Sequence, residues 1–481
     1  MNFESPNFAL ASAEIFVLTM ACVVLLFDVF SNDSNRRWTY YLSIATVVGA
    51  GVVTWMTAGA GTQLTFSGTY VADHAGLILK MASYVSLLFV FIYSMEYLRD
   101  RLLVKGEYFV LALFALLGIM VMISASHFLT IYLGLELLSL SLYAMVAFDR
   151  DSPIAAESAM KYFVLGAIAS GTLLYGMSML YGVSGSLDLA TIASTMSSSD
   201  VTDGSRLVML LGLSFVLVGM AFKMGAVPFH MWIPDVYHGA PTASTLFIGS
   251  TAKIASFALM LRLLIDGLGA LYADWRDMIM VMSVLSIVLG NIVAIAQTNL
   301  KRMLAYSTIS HVGFILMGFL APTSAGVEAA LLYTIVYVIM SAGAFGMIIL
   351  LGREGFEADE IDDFKGLFRR SPWFAMIMML IMFSMAGVPP LVGFYPKLNV
   401  IMSALNADLV WVAVVGVIFS VVGAFYYLRV IKVMLFDEPA EDAQPIEASL
   451  SMRAALSVNG LSVLVLGLLP GTLIAWVAAA F

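Results

Sequence analysis

Apolar runs of about 20 residues, each the length needed to cross a 30 Å hydrocarbon layer as a helix, recur from one end of this chain to the other. Polar breaks separate them, and the runs lack the period-2 alternation that marks barrel strands. Backbone N–H and C=O groups facing lipid have no water to bond, so such segments must satisfy themselves internally as helices. Hydrophobic residues make up 61% of the sequence and charged residues 11%, against about 25% charged in an ordinary soluble domain. The expectation is an all-α integral membrane protein.

Read between breaks, the runs predict spans near residues 8–29, 38–58, 74–97, 107–124, 127–148, 157–182, 206–227, 241–267, 274–297, 301–320, 326–352, 372–405, 409–436 and 452–478. That is about fourteen helices, which puts both termini on one side. No Lys or Arg precedes Arg36, so the first run lacks the basic flank of a cleaved signal peptide and is expected to stay. With the termini outside, sixteen Lys and Arg residues, among them Lys301, Arg302, Arg429 and Lys432, fall on the cytoplasmic side, and only Arg206, Arg262 and Arg276 fall outside. The positive-inside bias therefore makes both ends face the periplasm or its equivalent. The net charge of −9 comes mostly from loops such as DEPAEDAQPIE after Phe436 and EGFEADEIDD after Arg353. These read as solvated segments with no bearing on the membrane core.

Four charges resist that explanation. Glu136, Lys223, Lys253 and Lys397 lie inside apolar runs, where each costs about 2.5 to 3.5 kcal/mol at the bilayer centre. Intramembrane ionisable groups mark paths for protons or small ions. Glu136, in TIYLGLELLSLSLY, is the one acidic residue near the middle of a span, and Lys223 is its natural partner. A carboxylate beside a buried lysine favours the ammonium, and removing its influence favours proton release. Lys253 sits among Gly249, Ser250, Ala252, Ala255 and Ser256, small residues that allow close helix packing and leave room for water. Lys80, two turns into its helix, is expected to snorkel to the interface. Asp266 lies more than three turns from Lys253, an awkward separation for a pair, and Asp235 is expected to cap the segment entering helix 8.

Spacing adds a histidine. Glu136 and Lys223 are 87 residues apart and His311 and Lys397 are 86 apart, so the second pair follows the first by 175 and 174 residues. The chain reads as duplicated: helices 4–8 and helices 9–13, with the second five-helix unit inverted because five is odd, a recurrent transporter design. Each unit carries a helix interrupted by proline, FKMGAVPFHMWIPDVYHGAP in helix 7 and AGVPPLVGFYPKL in helix 12. Proline frees backbone carbonyls that must find other partners. The duplication is imperfect, since Lys223 precedes its break while Lys397 follows Pro389 and Pro390, and the position matching Lys253 is Tyr427. The expected organisation is residues 1–106 as three N-terminal helices, 107–267 and 268–436 as the repeats, and 437–481 as an acidic loop with helix 14.

Cofactor chemistry is constrained by what is missing. One cysteine, Cys22, excludes an internal disulfide and a cysteine-ligated cluster. His74, His127, His230 and His238 lie at span ends or in the break, with no evident second axial ligand for a haem beside His311 and no metal-ligand spacing. No metal and no bound cofactor is expected on this chain.

The segments FKMGAVPFHMWIPDVYHGAPT and NLKRMLAYSTISHVGF strongly resemble the antiporter-like membrane subunits of respiratory complex I, which are similar to subunits of Mrp-type cation/proton antiporters. The resemblance covers nearly the whole chain. It matches Glu136 to the family's helix 5 glutamate, Lys223 to its helix 7 lysine, Lys253 to its helix 8 lysine and His311 to helix 10, with lysine rather than glutamate, Lys397, on helix 12. It implies a non-redox, proton-translocating subunit of an NADH:quinone oxidoreductase. It also implies FMN, iron–sulfur clusters and quinone on partner subunits, neighbours in the membrane arm (subunits M, L and K), bound membrane lipids and no nucleic acid. A gradient-driven Mrp-type cation/proton antiporter component is the alternative, and a passive membrane scaffold a third reading.

Overall fold

The computed structural model describes residues 5–31, 36–59, 61–197, 202–321, 323–439, 446 and 448–481. The larger part of the acidic loop after Phe436 lies outside the described residues. The molecule is mostly helical. The helices are α1 (Ser12–Val29), α2 (Arg36–Met56), α3 (His74–Asp100), α4 (Gly106–Ile123), α5 (Phe128–Val146) and α6 (Pro153–Ser184). They continue with α7a (Asp203–Met224), α7b (Trp232–Gly239), α8 (Thr242–Gly267), α9 (Tyr272–Ile295), α10 (Leu300–Gly318) and α11 (Ser324–Leu351). The last are α12a (Pro372–Ala386), α12b (Phe394–Asn406), α13 (Val410–Phe436) and α14 (Leu450–Leu468), which a Pro470–Ala478 helix extends.

Twelve helices among the described residues are long and apolar enough to cross a membrane. The other two expected spans differ for visible reasons. α10 carries Lys301, Arg302 and His311 along its length, and residues 372–405 are two short helices rather than one. A surface helix, Leu189–Met196, and a two-stranded hairpin, Gln63–Thr65 with Tyr70–Ala72, were not anticipated. Both are too short to show periodicity. The hairpin turn holds Phe66, Ser67 and Gly68 at positive φ.

α8 and α11 form the enclosed centre, their most apolar windows 94% and 89% buried, while α1, α6 and α13 keep broad outward faces. Lipid is as apolar as leucine, so helix association here rests on close packing rather than on a hydrophobic driving force. α4 and α5 show how close it is. A Cβ on Gly118 would come within 2.6 Å of the Leu138 nitrogen and 2.7 Å of the Gly134 carbonyl. α9 and α10 meet the same way at Gly290, where a Cβ would reach the Ser310 nitrogen at 2.6 Å.

Both proline interruptions exist and follow one plan. α7a ends at Met224 with Gly225 left-handed at φ +81°, and α12a ends at Ala386 with Gly387 at φ +87°. The loop backbone after each glycine is then tied down: Val227 N donates to Ser286 Oγ (2.9 Å) and Gly393 N to Ser384 Oγ (3.0 Å). A further interruption, unread in the sequence, divides α8 at Ser250, where ψ is −86°. Its last two turns, Leu261–Gly267, widen to a π-helix.

Candidate functional site

The carbonyl ends of the two broken helices organise the buried charges. Where a helix stops, its last carbonyls lose their intrahelical donors and need others. Lys253 of α8, 4% exposed, donates from Nζ to the Met224 carbonyl at 3.0 Å. Ser256, one turn on, donates to the Lys223 carbonyl at 3.5 Å, and the Trp232 ring lies 5.8 Å from the Lys253 ammonium. Lys397 of α12b does the same for α12a, donating to the Ala386 carbonyl at 3.1 Å and the Met385 carbonyl at 3.3 Å. Gly387 makes this possible, since a Cβ there would sit 3.2 Å from the Lys397 nitrogen.

Lys223, on the last turn of α7a, points the other way. Its Nζ donates to Ser139 Oγ of α5 at 2.8 Å, and Ser139 in turn donates to the Leu135 carbonyl at 2.6 Å. Glu136 sits one turn earlier on the same helix and accepts a hydrogen bond from Ser170 of α6, which also meets the Tyr132 hydroxyl at 3.1 Å. The expected direct partnership of Glu136 with Lys223 is therefore replaced by an indirect one. Among the described residues no ion pair within 4.0 Å joins them. The three-residue spacing on α5 puts the Ser139 hydroxyl where the lysine ends.

His311 of α10 is held at both nitrogens, Nδ1 to the Tyr333 hydroxyl at 2.8 Å and Nε2 to the Tyr427 hydroxyl at 3.0 Å. Tyr427 also meets Ser307 at 2.5 Å. Tyr427, the residue that the repeat arithmetic set opposite Lys253, thus joins the site as a histidine partner. His311 and Lys397 line one cavity of about 10 Å³ with Asn291, Ser310 and Tyr426, room for about one water. The five candidate residues thus form two clusters, Glu136–Lys223–Lys253 and His311–Lys397. Among the described residues no hydrogen bond joins Lys253 to His311.

Two neighbouring expectations are corrected, those for Lys80 and Asp235. Lys80 does not snorkel: it is 6% exposed, 2.5 Å from Glu14 of α1 and 3.0 Å from the Tyr70 hydroxyl. Sequence periodicity carried no sign that α1 would bring a carboxylate there. Asp235 does not cap α8; it pairs with Lys161 at 2.9 Å and Arg302 at 3.1 Å, joining α6, α7b and α10. Asp266 pairs with Arg262, which also reaches Asp73, each at 2.8 Å. Burial pushes the Asp73 carboxyl up, but Arg262 overrides it and holds the group below the usual carboxylate range. Arg429 donates to the Ile295 carbonyl at 2.9 Å and to the Gln297 carbonyl, closing the end of α9. His230 is buried with an unpartnered Nδ1. Among the described residues no group of three or more His, Cys, Asp and Glu is placed to hold a metal ion.

Residues 125–423 match the family described as NADH:quinone oxidoreductase/Mrp antiporter, TM. The chain is 59% identical to the NADH-quinone oxidoreductase subunit N of Thioalkalivibrio sulfidiphilus, covering 98% of each. It is 56% identical to that of Thiobacillus denitrificans, covering 99% of this chain and 98% of the relative. The chain belongs to the NADH-quinone oxidoreductase subunit N family. Its fold superposes on a chain of respiratory complex I from Thermus thermophilus with a TM-score of 0.83 at 28% identity, covering 98% and 100% of the two chains. A chain of the Mrp complex from Dietzia sp. shares the fold alone, at a TM-score of 0.84 and 19% identity, covering 98% and 96%. This member of the subunit N family is a multi-pass membrane protein with the complex I/Mrp antiporter fold.

Proposed function

We propose that this chain is the proton-translocating N subunit of a bacterial NADH:quinone oxidoreductase, moving protons through Glu136, Lys223, Lys253, His311 and Lys397 as quinone is reduced elsewhere in the complex. One observation carries the relay: Lys223, Lys253 and Lys397 are each buried, yet bond to hydroxyl or carbonyl oxygens, with no carboxylate within 4.0 Å among the described residues. A lysine in a direct buried ion pair is held charged by its partner. A lysine on neutral oxygens can give up its proton without stranding a carboxylate.

Glu136 then acts at a distance. Two unit charges about 4 Å apart at an effective dielectric of 20 interact by about 4 kcal/mol, falling inversely with distance, so even about half of that changes proton occupancy more than ten-fold. Displacing Glu136, or neutralising it, drives the Lys223 proton toward Lys253, whose nitrogen shares the end of α7a. His311, bonded at both nitrogens, passes protons on by exchanging roles with Tyr333 and Tyr427. Lys397 is the terminal lysine.

In this reading fourteen helices span an inner membrane with both termini on the periplasmic side. Residues 1–106 form an N-terminal triplet, 107–267 and 268–436 are inverted repeats, and 437–481 hold the acidic loop and last helix. The two left-handed glycines closing α7a and α12a support the duplication. FMN, iron–sulfur clusters and quinone belong to partner subunits, and subunits M, L and K are the neighbours in the membrane arm.

The deciding experiment is Lys223→Ala in the assembled complex in sealed vesicles, with proton uptake followed per NADH oxidised. Assembly with pumping cut at least about ten-fold supports the relay; unchanged pumping removes it. The Mrp-type alternative requires cation/proton exchange driven by a gradient alone in vesicles lacking complex I partners.

A further inference from the structure

A fifth buried lysine has the environment of the relay lysines and lies outside the relay described above. Lys301, at the start of α10, is 2% exposed. Its Nζ donates to the Ala240 carbonyl at 3.2 Å and to Thr242 Oγ1 at 3.4 Å. Among the described residues no carboxylate lies within 4.0 Å of it. Lys80, bonded directly to Glu14 at 2.5 Å, is the opposite case. By this criterion Lys301 belongs with Lys223, Lys253 and Lys397.

Its surroundings run from solvent to the relay. The Thr242 hydroxyl donates to Glu357 Oε2 at 2.8 Å, and the Glu357 side chain is 38% exposed on the loop after α11. Tyr97 and Arg101 of α3 hold the other carboxylate oxygen at 2.8 and 3.0 Å. Inward, Lys301, Thr308 and His311 follow at intervals of seven and three residues, one face of α10. Thr308 bonds the Tyr337 hydroxyl at 2.7 Å, and the His311 ring lies 5.1 Å from Tyr337. Tyr237 of α7b is fully buried beside Thr308 and Tyr337. The charged groups around Lys301 are Glu357 and Asp359 of the loop, Arg101 of α3, and His238 of α7b.

We infer that Glu357, Thr242 and Lys301 form the cytoplasmic proton inlet to His311, an inference that rests on the relay reading above. The Glu357 carboxyl gives its proton to the Thr242 hydroxyl as that hydroxyl passes its own to the neutral Lys301 amine. The resulting ammonium releases a proton inward to the Thr308 hydroxyl as that hydroxyl passes its own to Tyr337 and on to His311, restoring the neutral amine. Glu357 is left as a carboxylate that recharges from bulk. Burial pushes the Glu357 carboxyl up, but the charged Lys301 and Arg101 together hold it below the usual carboxylate range.

The test uses the complete complex in sealed vesicles, with assembly checked by native electrophoresis and proton uptake per NADH oxidised followed across pH. Arginine keeps the charge and the donors but does not release its proton. Lys301→Arg is therefore expected to assemble and to lose pumping at least about ten-fold, since a merely structural cation would be rescued. Glu357→Gln is expected to slow pumping most at alkaline pH, where proton capture limits. An unchanged rate and pH profile in Lys301→Arg overturns the inlet. If that variant fails to assemble, Thr242→Val, which keeps shape and removes the hydroxyl, decides: slowed pumping supports the inlet and an unchanged rate overturns it. Lys223→Ala is measured alongside. Loss of pumping there with Lys301→Arg intact removes only the inlet, whereas pumping intact in Lys223→Ala removes the relay itself.

Discussion

Lys223 and Lys397 are separated by nearly the same stretch of chain as Glu136 and His311, yet their ammonium groups rest on different oxygens. In the first half Lys223 turns away from the break to a serine one turn from Glu136, and it is Lys253 that covers the open carbonyls of α7a. In the second half Lys397 covers the carbonyls of α12a itself, and the place of the glutamate is taken by a histidine between two tyrosines. By spacing Lys397 corresponds to Lys223; by contact it corresponds to Lys253. In the relay proposed above, the first half is switched by moving a charge, whereas the second passes protons through a histidine held between two neutral tyrosine hydroxyls. Both arrangements are possible because a broken helix leaves carbonyls that need a donor, whichever arm supplies it.

The largest expected effect tests the framework common to both halves. Gly118→Leu and Gly290→Leu would each drive a side chain into backbone of the partner helix, so neither variant is expected to assemble, as native electrophoresis would show. If one half tolerates its leucine, the two packings are not equivalent. Next comes the switch. Glu136→Gln is expected to cut pumping about ten-fold or more by removing an interaction of about 2 kcal/mol, with Glu136→Asp milder; no substitution near His311 should shift the pH profile as much. Unchanged pumping and pH profile in Glu136→Gln would make the halves alike.

Ser139→Ala removes the acceptor of an ammonium, a bond of about 1.5 to 3 kcal/mol, and pumping is expected to fall about ten-fold or more. Tyr427→Phe removes a neutral bond of about 1 kcal/mol from His311, giving a drop of about five-fold. Equal losses in the two variants would contradict the charged-versus-neutral distinction. The smallest effect is on the loop after α11. Because the Glu357 carboxyl is held low, mainly against burial by Lys301 and Arg101, its contribution is present above the unfolded carboxyl pKa and is lost as pH falls through the folded one. Hydrogen exchange in the segment from Phe356 to Ile361, which pairs with Asn299 and Thr298, should accelerate in acid and not at neutral pH.

Much of this was legible in the chain. Span positions, the two proline breaks and the intramembrane charges follow from one-dimensional rules, because a bilayer fixes helix length and makes every charge inside it conspicuous. The break within α8 at Ser250 was not read, since Gly249, Ser250 and Thr251 also look like ordinary packing residues. Arg262 and Lys301 were counted as flanking charges and are buried. A residue at a helix end looks exposed until the loop or helix folded over it is known.

The sequence by itself determined that this is a helical membrane protein, that helices 7 and 12 break at prolines, and which few ionisable groups need a reason to be there. Only the tertiary structure decided who holds them: that Lys80 is locked by a carboxylate from α1, that Lys223 donates to Ser139 rather than to Glu136, and that Tyr333 and Tyr427 enclose His311. The physical reason is range. Hydropathy is local to a helix, whereas the partner of a buried charge is chosen by helices from 22 to 116 residues away in the chain.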